Sequence, residues 1–352
     1  MSRKRSVTEL GEAPIPALIG RYFGATFAAL LFSALYNLVD SVFVSRGIGS
    51  TAMGGVAIVG PFMMIQAAVA QTVGGGAASI ISRYLGKKEY AKAGEISLNA
   101  MAVFYSTAVL VTAVGLVFCE PILRLLGATE EMLPYAREYF PVIVAGTVFS
   151  TGFSSLIRAE GRMTYALLIW LIPTGVNILL DGVFIFWLHM GVRGAALATV
   201  ICYATSAGMW FLFLFRFSEQ TLKGARVRFS IIREIVLIGF PTFLQMSGTG
   251  FMNMVLNRIL GTVGGTQGVT TYAYMTRVSG FGTVPFYALT QTISPIIGYN
   301  FGAGKQPRIR ETLRFSLGAG MVYSLVLVVL AQFLSGPAIH IFTDEGSCLR
   351  AG

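Results

Sequence analysis

The chain has 352 residues, of which 55% are hydrophobic and 12% charged, with a net charge of +10. Soluble domains carry about 25% charged residues, so this chain has too little polar surface to cover itself in water. Nucleic-acid binding is excluded by where the basic residues fall, as set out below.

A helix needs about 20 apolar residues to cross about 30 Å of hydrocarbon. Nine apolar blocks of that kind follow one another: Ala17–Val44, Met53–Ile81, Ile96–Phe118, Tyr139–Ile157, Tyr165–Leu188, Ala195–Phe215, Ile235–Leu260, Tyr272–Ile297 and Phe315–Ile341. The expected fold class is all-α, a polytopic transmembrane helical bundle. The first block is too long for a cleavable signal peptide and lacks a small-residue cleavage site, so it reads as a span. Cys119, Cys202 and Cys348 have no metal-site spacing, and Cys202 lies inside a span, so no disulfide framework is expected.

Place the N-terminus in the cytoplasm and the connecting segments alternate sides. Eighteen Lys and Arg then fall inside, grouped around Arg3, Lys87, Arg158, Lys223 and Lys305. Seven fall outside, Arg46, Arg124, Arg137, Arg193, Arg258, Arg277 and Arg350. This is the positive-inside pattern. The basic excess is therefore a matter of topology and of contact with anionic lipid head groups; the lipid bilayer is the expected partner.

A single constant shift lays the chain on itself, placing the seventh, eighth and ninth blocks on the first, second and third. It carries Gly86 in YLGKKEYAKAGE onto Gly302 in NFGAGKQPRIRE, and both end a span before a basic loop. The shift covers six helices, an even number, so the two halves share one orientation, a known transporter plan. The expected organisation is a cytoplasmic tail at 1–16, a first lobe of six spans at 17–217, a basic linker at 218–234 and a partial second lobe at 235–352. On this arithmetic the second lobe is truncated, about three helices short of the first.

An acid inside a span costs about 2.5–3.5 kcal/mol on insertion scales and is usually functional. Two are clear, Asp40 in the first block and Asp181 in the fifth; the other acids fall in loops or near span ends. Asn177 lies one turn before Asp181, and Tyr36 and Asn37 stand in the same relation to Asp40. Thr199 of the sixth block is at similar depth. Carboxylates, an amide oxygen and a hydroxyl are hard donors, and two close carboxylates raise one another's proton affinity. Such a cluster, Asp40, Asn177, Asp181 and Thr199 with Tyr36 and Asn37 in support, takes up a proton or a sodium ion; the alternative is a structural cluster that satisfies its own hydrogen bonds. Pro173, Pro241, Pro285 and Pro295 lie within spans, where each removes a backbone hydrogen bond; Pro241 is a hinge candidate. Gly74–Gly76 reads as close helix packing. His189 and His340 read as interface residues. The sequence has no Ser–His–Asp arrangement, zinc motif or nucleotide loop, so an enzyme and a cofactor are not expected.

Four segments carry a family resemblance: LYNLVDSVFVSRGIG around Asp40, NILLDGVFIF around Asp181, GVRGAALATV around Thr199 and TISPIIGYNFGAGK near Gly302. In order and at compatible spacing, they resemble the multidrug and toxic compound extrusion (MATE) family, in its bacterial DinF-like branch. The resemblance implies twelve helices in two lobes of six that alternate between outward and inward states. It also implies secondary active multidrug efflux, exchanging protons or sodium ions for small amphipathic cationic compounds across the bacterial plasma membrane. Carried over, the family's cation site falls on Asp40, Asn177, Asp181 and Thr199. One departure is Ala25, fifteen residues before Asp40, where the family usually has proline; the internal shift places Ala25 on Pro241. Two competing readings are a flippase for a lipid-linked precursor, which would favour several basic residues in its cavity, and a truncated, non-transporting membrane protein.

Overall fold

The structure, a computed structural model, describes residues 5–126, 128, 130–149 and 153–340, with some side chains inside the helices left out. All regular structure among the described residues is helical: α1 Arg5–Glu12, α2 Ile15–Gly47, α3 Ser50–Gly86, α4 Tyr90–Val117, α5 Cys119–Leu125, α6 Leu133–Gly146, α7 Ser154–Ala159, α8 Met163–Asp181, α9 Gly191–Arg216, α10 Phe229–Gly302 and α11 Gln306–His340. A 3₁₀ turn, Thr147–Phe149, follows α6, and a π-helical segment, Gly182–Trp187, follows α8. Eight helical stretches among the described residues are long and apolar enough to cross a membrane. In hydrocarbon only a helix or a closed barrel satisfies every backbone group, so an apolar chain of this length takes a bundle.

The expected blocks map onto these helices with two differences. The fourth block is broken, running through α6, the 3₁₀ turn and α7. The seventh and eighth blocks fall in one helical run, α10, of 74 residues. A straight helix of that length would reach about 110 Å. Both ends of α10 lie on α3, with Gly239 against the Thr72 backbone and Gly302 against the Arg83 backbone. Those α3 sites are only about 16 Å apart along the helix. The run therefore reverses direction between its ends and supplies two antiparallel arms, as two spans would.

The internal shift is written into the contacts. A Cβ on Gly86 would strike the Tyr299 carbonyl, and a Cβ on Gly302 would strike the Arg83 carbonyl. The shift that carries Gly86 onto Gly302 also carries Arg83 onto Tyr299, so the two contacts are equivalent under the internal repeat. Ser82 and Gly298, another such pair, face each other directly. Lys88 and Gly304, related in the same way, share the left-handed backbone that closes the helix end, with φ of 63° and 70°. The lobes are thus related by a pseudo-two-fold axis through the α3–α10 seam.

Burial locates the join. One core cluster gathers Leu18, Ile80, Leu85, Phe104, Phe153 and Trp210 of the first lobe with Ile235, Ile296 and Tyr299 of the second. Phe153 stacks on Trp210 at 4.8 Å between ring centroids and meets Phe104 edge-on at 4.9 Å. The other cluster, with Val59, Phe140, Ile143, Val144 and Ile185, holds first-lobe residues only. The first lies toward the basic loops and the second toward the opposite end. The lobes meet at the basic end, where the close backbone approaches of α3 and α10 run from Thr72 and Gly239 to Arg83 and Gly302.

Candidate cation site

α8 is a strongly apolar helix of 19 residues whose last residue is Asp181. Helical spacing stacks Asn177 and Asp181 one turn apart on one face, and both are fully buried. Beyond Asp181 the backbone widens into the π-helical segment, marked by the i→i−5 hydrogen bond from Leu188 N to Val183 O at 2.9 Å. π segments concentrate at functional sites because they break the regular ladder beside them. α9 packs along α8 and contributes Thr199, 4% exposed, whose hydroxyl donates to Ala195 O at 3.0 Å. Asp181 acts electrostatically on the Cys202 thiol of α9. Cys202 lies three residues after Thr199, so the two share a face of α9.

The amide of Asn177 is the informative group. Both its oxygen and its nitrogen are buried without a hydrogen-bond partner. Leaving a buried amide unmade costs about 1–3 kcal/mol, and a buried polar group of this kind calls for a ligand or water. The donor set is hard, an amide oxygen, a carboxylate and a hydroxyl, and fits a proton or a sodium ion. Among the described residues no three His, Cys, Asp or Glu side chains gather for a multi-acid metal site.

The side chains of Asp40, Tyr36 and Asn37 lie outside the described residues. Residue 40 is placed on α2, one turn before Phe43. The Phe43 ring meets Phe186 of the π segment at 5.7 Å, and Gly47 of α2 lies against Ile185 and Phe186. The C-terminal third of α2 therefore packs on the segment that follows Asp181. Asn177 and Asp181 share one face of α8, Thr199 lies on α9, and α8 packs against both α9 and α2. Pro241, the hinge candidate, stands two residues past Gly239, where the α3–α10 seam ends.

Hydropathy places every remaining acid in a loop or at a span end. Glu160, between α7 and α8, is nonetheless fully buried. Its carboxylate accepts from Ser218 Oγ, from Gln220 Nε2 at 2.7 Å and from the Glu219 backbone N–H at 3.1 Å. Gln220 in turn accepts from Ser97. Burial pushes the Glu160 carboxyl up to about 7, with the Glu219 charge adding to it, against the pull of Ser218, the Glu219 N–H and Gln220. No local pattern announces this cluster, because its partners are about 60 residues away in sequence.

The MatE family model matches residues 25–183 and 241–352, two stretches whose first residues are related by the internal shift. The chain is similar to multidrug export protein MepA of Staphylococcus haemolyticus (strain JCSC1435), 27% identical over 322 residues, which cover 90% of this chain and 71% of that protein. It is also similar to MepA of Staphylococcus aureus (strain NCTC 8325 / PS 47), 29% identical over 323 residues with the same coverage. Among solved structures, a MATE protein in the bent conformation superposes with a TM-score of 0.91 at 25% identity, over 99% of this chain and 79% of that one. A transporter of the MOP superfamily from Pyrococcus furiosus shares the fold, with a TM-score of 0.88 at 23% identity over 100% of this chain and 79% of that one.

Proposed function

This chain belongs to the MatE family, and from that premise we propose that it works in secondary active multidrug efflux, exchanging a proton or a sodium ion for amphipathic cationic compounds. The observation that carries the reading is the buried Asn177 amide with both polar atoms unpartnered, one turn from buried Asp181 on a helix that packs along the one bearing Thr199. A cation entering there gains an amide oxygen, a carboxylate and a hydroxyl. When the ion leaves, the amide is again unsatisfied. Occupancy thus biases the packing of α8, α9 and α2, and a carrier needs such a bias to link ion movement to lobe movement. The family relatives named multidrug export proteins support the substrate class.

With the N-terminus in the cytoplasm of a bacterial cell, the basic end is the inner one. The inner end is then the closed one, held at the α3–α10 seam. The Asp40–Asp181 region lies in the outer half of the first lobe, where an outward-facing state would admit an external ion. Charge makes lipid-linked precursors a poorer cargo, since described basic side chains cluster at loops and helix ends rather than along a cleft.

The test is dye efflux from cells expressing Asp181→Asn in the chain extended with a C-terminal segment from a relative. Substitution by Asn keeps size and removes the titratable charge. Ion-driven efflux should fall to background while membrane insertion is unchanged. Efflux at the parent rate would remove Asp181 from the coupling site.

A further inference from the structure

The short helix α1 precedes the first lobe in sequence but is bonded to the second. Its last carbonyls have no helical partner, as at any helix end. Asn300 Nδ2 donates to Leu10 O at 2.8 Å, Lys305 Nζ to Gly11 O at 2.8 Å, and Arg308 Nη2 to Ala13 O at 2.6 Å. All three donors come from the end of α10 and the start of α11. Two are cations placed at the negative end of a helix dipole, where they are most favourable. Leu10 is fully buried in the shared core, and Gly11 lies so close to the Tyr299 ring that a Cβ would collide with it. On the other side, Glu9 of α1 forms an ion pair with Arg21 of α2 in the first lobe. The helix therefore bridges the lobes, and it does so at the end where they are closed.

The internal repeat supplies the comparison. The shift that relates the lobes carries α1 onto 221–228, the stretch that precedes the second lobe. This stretch lies on the first lobe: Thr221 N donates to Tyr90 O at 3.3 Å, Arg228 N donates to Asn99 Oδ1 at 2.7 Å, and Arg228 pairs with Glu95 at 3.0 Å. Each lobe is thus preceded by a segment that crosses the seam and fastens to the other lobe. A cap serving only to finish α2 would have no reason to place its polar bonds across the axis.

We infer that residues 5–13 form a strap that holds the basic end of the seam shut, and that its release from Asn300, Lys305 and Arg308 is a step in opening that end. The opening itself rests on the transport reading above; the strap rests on the contacts. Parting the lobes there breaks three hydrogen bonds and bares Leu10.

The experiment uses the full chain with Cys119, Cys202 and Cys348 replaced by Ser and a reporter Ser82→Cys under Gly298 on the seam. Maleimide labelling is followed in detergent, where both ends are accessible. Lys305→Ala with Arg308→Ala should raise the labelling rate at least about tenfold, since the loss of even one of the two charge-assisted hydrogen bonds supplies about that factor. Arg310→Ala, a neighbouring exposed cation that does not touch α1, should leave it unchanged. Labelling that stays at the parent rate in the folded double variant overturns the strap. If the double variant does not fold, Gly11→Cys joined to Tyr299→Cys by a cleavable bifunctional reagent gives the answer. The joined protein should resist labelling of the seam until the link is cut, and labelling at the unlinked rate overturns the proposal. Labelling needs no drug and no ion gradient. A strap that responds in a protein without efflux would leave the contacts standing and count against the transport reading alone.

Discussion

In the proposed cation site, Asn177 and Asp181 separate by chemistry. Asn177→Leu removes the unpartnered amide and fills its place with an apolar group of similar size. Replacing an unsatisfied buried polar group this way is close to neutral or stabilising for folding. Ion binding should therefore be lost while thermal stability is kept or rises, as read by sodium- or pH-dependent quenching beside a melting curve. A strong fall in stability with ion response intact would assign Asn177 a structural role. Glu160 makes a second residue-scale prediction, with a defined sign. Its carboxyl stands at about 7 in the buried cluster against an ordinary 4.5. The raised value favours the linker-bound state when the group is protonated. Its contribution is therefore complete below about 4.5, is lost as pH rises from there to about 7, and does not change further above it. Hydrogen exchange along 218–228, corrected for the intrinsic rate, should show protection that falls over this window. Glu160→Gln copies the neutral carboxyl and should flatten the profile; a profile in that variant identical to the parent's would rule Glu160 out as the source.

At the scale of elements, helix packing here depends on absent side chains. Gly86 and Gly302 let two helix ends approach backbone to backbone, as small residues do in membrane bundles. A methyl at either position meets a carbonyl oxygen, a partner that cannot swing aside. Gly86→Ala and Gly302→Ala should each cost about 1–3 kcal/mol, the usual range for overpacking, and because the two contacts are symmetry-related the losses should be similar. Thermal unfolding in detergent measures both; a variant as stable as the parent would mean the seam yields more than a backbone contact can. The sequence marks Gly86 and Gly302 as helix ends before basic loops, which they are. Their second duty, as close backbone contacts with the opposite helix end, could be found only with both halves in place. The break in the fourth span and the π segment after Asp181 were likewise invisible to apolar block length, because both leave hydropathy unchanged and alter only the backbone ladder.

For the whole molecule, the charge count places the loops around Lys87, Lys223 and Lys305 together, and the structure gathers α1, the linker and the α10–α11 junction at one closed end. Single cysteines at these three lysines should resist an impermeant maleimide added outside intact cells and react once the membrane is opened. Labelling from outside would invert the topology, and the closed end would then face out.

The sequence by itself determined the membrane class, the approximate spans, the internal repeat that sets Gly86 on Gly302 and the pairing of Asn177 with Asp181. Each follows from quantities local to the chain: apolar length against bilayer thickness, charge on alternate loops, and the period of the helical turn. Tertiary structure decided the rest. It reversed α10 on itself, packed α9 along α8, buried Glu160 against the linker and carried α1 across to the other lobe. These depend on partners tens to hundreds of residues apart, and a chain's local pattern holds no record of which distant surface a helix end, a glycine or a buried acid will meet.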